Sequence, residues 1–178
     1  AVGNGIEVWE LNNKSAGPGL RSADQLVAVS DFTRQRMAKE LKIEPERVGI
    51  LPNTFEEAQF SPAPKSQFLL KRYGLRPEQP VVLSIGRLAN EDRYKGYDQI
   101  LRALPEVRTE IPNVRYILGG AGPERSRLEA LIDELGIRAS VTFAGYVPDD
   151  ELCAHYNLCD LFAMPSKGEG CGIGFLEA

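Results

Sequence analysis

The 178-residue sequence predicts an α/β fold, a mostly parallel sheet flanked by helices. Short apolar or β-branched runs start about 20 to 33 residues apart, the length of a strand–helix–strand repeat. These runs are continuous rather than alternating, as strands covered on both faces require. Between them lie stretches with helical periodicity or helix-end signals.

Taken in order, residues 1–25 stand outside the pattern, and Asn12 to Gly19 reads as a loop. The strands are expected at Val27–Val29, Val48–Leu51, Val81–Ile85, Val114–Leu118, Val141–Ala144 and Leu161–Met164. Ser30 can cap a helix running from Asp31 through Leu41, because its hydroxyl can accept from a first-turn N–H. Thr54 to Lys65, with Pro62 and Pro64, is an irregular connection before a helix over Ser66 to Tyr73. A helix over Tyr97 to Glu110 places Ile100, Leu104, Val107 and Ile111 on one face, with Pro105 expected to kink or split it. Pro123 suits a first helical position, Leu128, Leu131, Ile132 and Leu135 follow helical spacing, and Gly136 suits a left-handed cap. His155 is expected in a helix, at the surface or half-buried.

Composition excludes several function classes. Twenty-one Lys and Arg against 25 Asp and Glu leave a net charge of −4, the wrong sign for a nucleic-acid surface. No run approaches the roughly 18 apolar residues of a membrane span. Cys153, Cys159 and Cys171 lack the spacing of a zinc site and, with one His in the chain, read as reduced thiols of a cytoplasmic protein. Neither a basic start nor an apolar segment marks a signal peptide at residues 1–13. The absence of Met at position 1 suggests a chain that begins inside a longer one.

In a doubly wound sheet, ligands sit at the carboxyl ends of the strands. Gly86-Arg87-Leu88 follows the Val81 strand, with Lys95-Gly96 shortly after. Two cations beside a glycine suit a diphosphate, and they equally suit a solvated surface. Gly119 to Glu124 resembles a dinucleotide loop, but Arg125 stands where the third glycine belongs, so a tight turn into a helix is the better reading. Pro165 to Gly172 is a glycine-rich loop entering a helix that starts near Ile173, an arrangement whose backbone N–H groups can hold phosphate. Glu169 and Glu177 bracket that helix start, with seven residues between them.

Five segments together resemble the donor-binding half of retaining GT-B glycosyltransferases of family four, group one. They are Val27 to Ser30 with Thr33, Ile50 to Asn53, Gly86 to Leu88 with Lys95-Gly96, Gly120 to Pro123, and Pro165-Ser166 with Glu169 to Ala178. The last resembles the family's Glu, seven residues, Glu signature. The resemblance implies a Rossmann-like domain over residues 26–178, incomplete at its carboxyl end, with residues 1–25 as a linker or remnant of an inter-domain connection. It implies that Arg87 and Lys95 neutralise the donor diphosphate without a divalent metal or any cofactor. Glu169 would bind hydroxyls of the transferred sugar and Glu177 those of the ribose. Gly86 would lie beside the phosphates, and backbone groups of Gly170, Cys171, Gly172 and Ile173 would touch phosphate or sugar. Tyr146 and Val147 would lie near the base.

Thr54 stands where the family usually has Gly, Cys171 replaces a commonly aromatic position, and the interval from Arg87 to Lys95 carries extra residues. That interval leaves open whether Lys95 or Arg93 meets the phosphate. The implied activity is transfer of a hexose from a UDP- or GDP-sugar, with retention, to a glycan, lipid or small-molecule acceptor held by an amino-terminal domain. The fragment alone is then expected to be inactive. The implied location is cytoplasmic, with the full-length protein peripheral at the inner membrane face. The alternatives are a sugar-nucleotide epimerase of the same fold, or a non-catalytic nucleotide-sugar-binding module.

Overall fold

The computed structural model describes residues 1–9, 11 and 16–178, with Ile6 and Ala16 described by backbone alone. These residues divide into two units, Ala1–Phe55 with Gly168–Ile173, and Glu56–Lys167 with Gly174–Ala178. Each has its own parallel sheet.

The first unit holds β1 (Val2–Gly3), α1 (Ile6–Trp9), α2 (Ala16–Arg21), β2 (Leu26–Ala28), α3 (Asp31–Leu41) and β3 (Val48–Ile50). Strand order is β1-β2-β3, all parallel. Ser30 caps α3 as its sequence suggests, accepting from the Thr33 amide at 3.2 Å. Met37, Ala38 and Leu41 turn inward from α3 onto Val8, Trp9, Leu26, Ala28 and Val48. Two expectations are corrected here. The first 25 residues carry a strand and two helices, and Ala16 to Gly19 are helical, while Asn12 to Ser15 lie outside the described residues. A two-residue strand is too short to show any periodicity, and Pro18 sits in a first turn, where its missing N–H has no partner to lose. The second concerns the domain boundary, placed at 25/26 from the sequence. Leu26 pairs with Val48 and not with the strand at Val81, so the units part at Phe55/Glu56, inside the irregular connection.

The second unit holds α4 (Gln67–Tyr73), β4 (Val81–Ile85), α5 (Tyr97–Glu110), β5 (Arg115–Gly119), α6 (Glu124–Glu134), β6 (Val141–Gly145), α7 (Asp149–Leu158), β7 (Leu161–Phe162) and α8 (Ile173–Glu177), the last shared with the first unit at Ile173. Strand order is β6-β5-β4-β7, all parallel. The chain steps outward from β4 to β6 and then returns to the other side of β4. Alternation along the strands divides the core. Tyr116 and Leu118 face α5 and α6, whereas Ile117, Val81 and Leu83 face α4 and α7. A buried polar chain links β5, β4 and the residue after β7: the Tyr116 hydroxyl donates to Ser84 Oγ at 2.9 Å, and Ser84 donates to the Ala163 carbonyl at 2.5 Å. Burial pushes the Tyr116 phenol well above its ordinary range. Asp160, just before β7, accepts from the Val81 amide and from Lys65, at 2.8 and 2.7 Å.

α5 is one helix across Pro105, and its buried face is Tyr97, Leu101 and Leu104. Val107 and Ile111 are 36% and 40% exposed, so the buried stripe runs three residues, about one turn, earlier than expected. Gly136 closes α6 with φ +64°, as expected. No helix among the described residues is long and apolar enough to cross a membrane.

His155 is buried, contrary to expectation, with 1% of its surface exposed. Its Nδ1 lies 2.8 Å from the Glu151 carbonyl and its Nε2 2.8 Å from the Tyr73 hydroxyl. A neutral ring satisfies both, with Nδ1 donating and Nε2 accepting. Burial holds the imidazole below its usual range, and Arg72, bound to Glu151 on the same face, adds to that. The unfolded chain therefore takes up a proton first. His155 contributes fully above about pH 6.5, and its contribution falls by up to about 1.4 kcal/mol per pH unit below that, until the folded ring also protonates. Urea unfolding of wild type and His155→Gln at pH 7.5 and 5.5 checks this. The stability gap between the two should narrow at the lower pH, and a constant gap would show that folding leaves the ring's proton affinity unchanged.

Candidate functional site

The strand order reverses at β4, so a crevice is expected beyond its carboxyl end. The backbone there is fixed by its neighbour. Gly86 N–H donates to the Gly119 carbonyl at 3.0 Å, Leu88 N–H to Ala121 at 3.1 Å, and Glu124 N–H back to Leu88 at 2.9 Å. Gly122, at φ +150°, lies so close to Leu88 that a Cβ would collide with its carbonyl. The glycines after β5 thus serve a backbone-to-backbone clasp, which agrees with the tight-turn interpretation of that segment.

Gly86 leaves room for two side chains. A Cβ there would run into the Tyr97 hydroxyl and sit 3.5 Å from Lys95 Nζ. Lys95 closes a 3-10 turn over Asn90–Lys95, and Gly96 follows at φ +76°. This corner is pinned to the segment after β7: Lys167 N–H donates to the Tyr94 carbonyl at 2.9 Å, and a Cβ on Gly96 would lie 2.7 Å from the Pro165 carbonyl. Gly86 and Lys95 therefore meet, as the sequence suggested, at the carboxyl end of the central strand.

Arg87 stands beside them with its side chain 75% exposed. Its Nε lies 3.0 Å from Asp92 Oδ2, and its Nη2 donates to Asp92 Oδ1 at 3.2 Å. Asp92 is 3% exposed. Sequence reasoning missed this carboxylate because a five-residue separation inside a loop has no periodic signature. Arg93 turns elsewhere, donating to Glu124 Oε1 at 2.7 Å, while Arg127 donates to Glu124 Oε2 at 2.6 Å. The Arg93 guanidinium, followed by Arg127, holds the Glu124 carboxyl below its ordinary range despite its burial. Leu88, Asp92, Arg93, Tyr97, Glu124 and Arg127 line a small cleft behind the loop. Of the two cations left open by the sequence, Lys95 is the one beside Gly86, and Arg93 is engaged by Glu124.

Glu177 lies in the second unit on α8, where the Tyr156 hydroxyl donates to its Oε2 at 2.9 Å. Tyr156 belongs to an edge-to-face series with Phe162 and Phe175, ring centres 5.4 and 5.3 Å apart. Tyr146 is 74% exposed after β6, but Val147 is buried against Gly119, so only its backbone can meet a ligand. Glu169, Gly170, Cys171, Gly172 and Ile173 fall in the first unit. There Gly170 packs on the backbone of Asn4 and Gly5, and Cys171 is a half-buried free thiol. Cys159, in the second unit, is pushed up to about 11 by burial.

Replacing Tyr156 by Phe keeps the ring and removes the hydroxyl that holds Glu177. The variant should lose about 1–2 kcal/mol and exchange the α8 amides faster. Thermal unfolding and hydrogen exchange that both match wild type would show that the hydroxyl does not hold α8.

Residues 65–178 match the family model described as glycosyl transferases group 1. The chain is 35% identical over 164 residues to the GDP-mannose-dependent alpha-(1-6)-phosphatidylinositol monomannoside mannosyltransferase of Mycolicibacterium smegmatis, covering 88% of this chain and 42% of that protein. It is 30% identical over 161 residues to 2-deoxystreptamine glucosyltransferase of Streptomyces kanamyceticus, covering 89% and 41%. Among solved structures, Anabaena HepE in complex with UDP and glucose superimposes with a TM-score of 0.80 at 21% identity, covering 99% of this chain and 49% of that one. Sucrose-phosphate synthase from Thermosynechococcus elongatus gives 0.73 at 23%, covering 91% and 40%. These structural likenesses concern the fold, which is that of GT-B glycosyltransferases. The chain spans 42% and 41% of the two curated relatives. With the family model matched over residues 65–178, this chain belongs to the glycosyl transferases of group 1.

Proposed function

We propose that this chain binds the nucleoside-diphosphate-sugar donor, a UDP- or GDP-sugar, of a retaining hexosyltransferase that uses neither metal nor other cofactor. The observation that carries this is the placement of Arg87 and Lys95 beside Gly86, at the carboxyl end of the strand where the sheet order reverses. Two cations there can neutralise a diphosphate in the ground state, and more so as charge builds on the leaving group. Glu177 binds the ribose hydroxyls and Glu169 the hydroxyls of the sugar, with Gly170 to Ile173 offering backbone N–H groups. Tyr146 and the Val147 backbone lie along the base. A relative named GDP-mannose-dependent supports a GDP-sugar, and a structural neighbour in complex with UDP keeps UDP-sugars in the test.

Transfer to the acceptor belongs to the longer protein, since the chain spans 42% of the mycobacterial relative. That relative's name includes phosphatidylinositol, which supports a lipid acceptor and so a longer protein that works at a membrane surface.

Calorimetric titration of the 178-residue chain with UDP, GDP, UDP-glucose and GDP-mannose tests the reading. At least one should bind, and Arg87→Ala and Lys95→Ala should each weaken it about tenfold or more. Glu169→Ala should weaken the sugar nucleotide and leave the bare nucleotide unchanged. A folded sample that binds none of the four overturns the assignment.

A further inference from the structure

We propose that Asp92 is a positioning residue for the donor diphosphate, acting through Arg87. The proposal rests on the donor-binding reading above. A guanidinium is a planar fork, and here Nη2 donates to Asp92 Oδ1 at 3.2 Å while Nε lies in ion-pair contact with Oδ2 at 3.0 Å, an oxygen that accepts no hydrogen bond. Asp92 is 3% exposed, so its charge has little water to rely on. Of the other guanidinium groups around this cleft, Arg93 and Arg127 are held by Glu124, leaving Arg87 as the fork that neutralises Asp92. If Arg87 turned fully toward a ligand, it would strand a buried carboxylate. It therefore stays, with Nη2 bonded to Asp92 Oδ1 and Nε beside Oδ2, which leaves Nη1 to meet the diphosphate.

This explains how a side chain that is 75% exposed can be aimed at all. An exposed arginine ordinarily loses rotamer entropy when it binds an anion. Here the loss is taken on folding, and the diphosphate meets a cation already oriented. Asp92 touches no substrate in this scheme; it sets the direction from which Arg87 approaches. The Asp92 backbone N–H donates to the Ala89 carbonyl at 3.0 Å, which places the carboxylate in the 3-10 turn that also carries Lys95. One turn thus supplies one cation directly and orients the other.

The test combines nucleotide titration with a direct view of the clamp, using the 178-residue chain. In wild type, the Arg87 Nη2 protons should exchange slowly with water, and in Asp92→Asn they should exchange fast. Asp92→Asn should weaken UDP or GDP by about tenfold, yet by less than about twofold in an Arg87→Ala background, because the effect passes through Arg87. Arg87→Lys keeps the charge without the fork and should weaken binding nearly as much as Arg87→Ala, a result that stands even if Asp92→Asn fails to fold. Equal weakening with and without Arg87 would make Asp92 merely structural and overturn the proposal. Tighter binding by Asp92→Asn would make the pair an inhibitory latch and overturn it equally. A slowly exchanging Arg87 in a wild type that binds neither nucleotide would overturn the donor-binding reading instead, with the clamp itself observed.

Discussion

The candidate site depends on a short run of backbone hydrogen bonds between the ends of two neighbouring strands. Gly86 to Leu88 and Gly119 to Glu124 are laced together by three of them, and the close approach leaves no space for side chains at Gly122. Backbone clasps of this sort are stiff, because each partner is already fixed by its strand. The residue between the laced positions is Arg87. Its Cα can therefore move little, and what remains variable is a side chain whose inner edge is held by Asp92. Lys95 arrives from the same loop and is steadied from the opposite flank, through the segment after β7. The arrangement puts two cations on rigid supports where flexible loops alone would leave them diffuse.

Much of the architecture was legible in the sequence because it rests on local signals. Ser30 announces α3, Gly136 closes α6, and the continuous apolar strands announce a parallel sheet. What local signals cannot carry is partnership. The runs at Val48 and Val81 look alike, yet they belong to different sheets, because pairing is decided by contacts far apart in sequence. The same limit explains α5, whose inward face depends on where the sheet lies as well as on its own spacing.

Among the candidate site residues, Gly86 and Lys95 meet at the end of β4, the neighbourhood that the strand-end motif suggested. Asp92 and the Tyr156–Glu177 bond were not suggested, since neither pair has a spacing that helix or strand geometry would mark. His155 shows the same thing in the core. Its helical stretch suggested a surface or half-buried ring, and only the fold brings Tyr73 and the Glu151 carbonyl to either side of it.

The hydroxyl chain through Tyr116, Ser84 and Ala163 has a direction, and that direction is forced. A carbonyl can only accept, so Ser84 must spend its single proton on Ala163, and its lone pair then obliges Tyr116 to donate. No hydroxyl rotor in the series is left to choose. The middle of the sheet therefore behaves like a row of aligned dipoles running from β5 through β4 to the residue after β7, with one orientation and no alternative. A change at either hydroxyl would be felt at its neighbour as a lost partner, which couples β5, β4 and the end of β7 electrically as well as by packing.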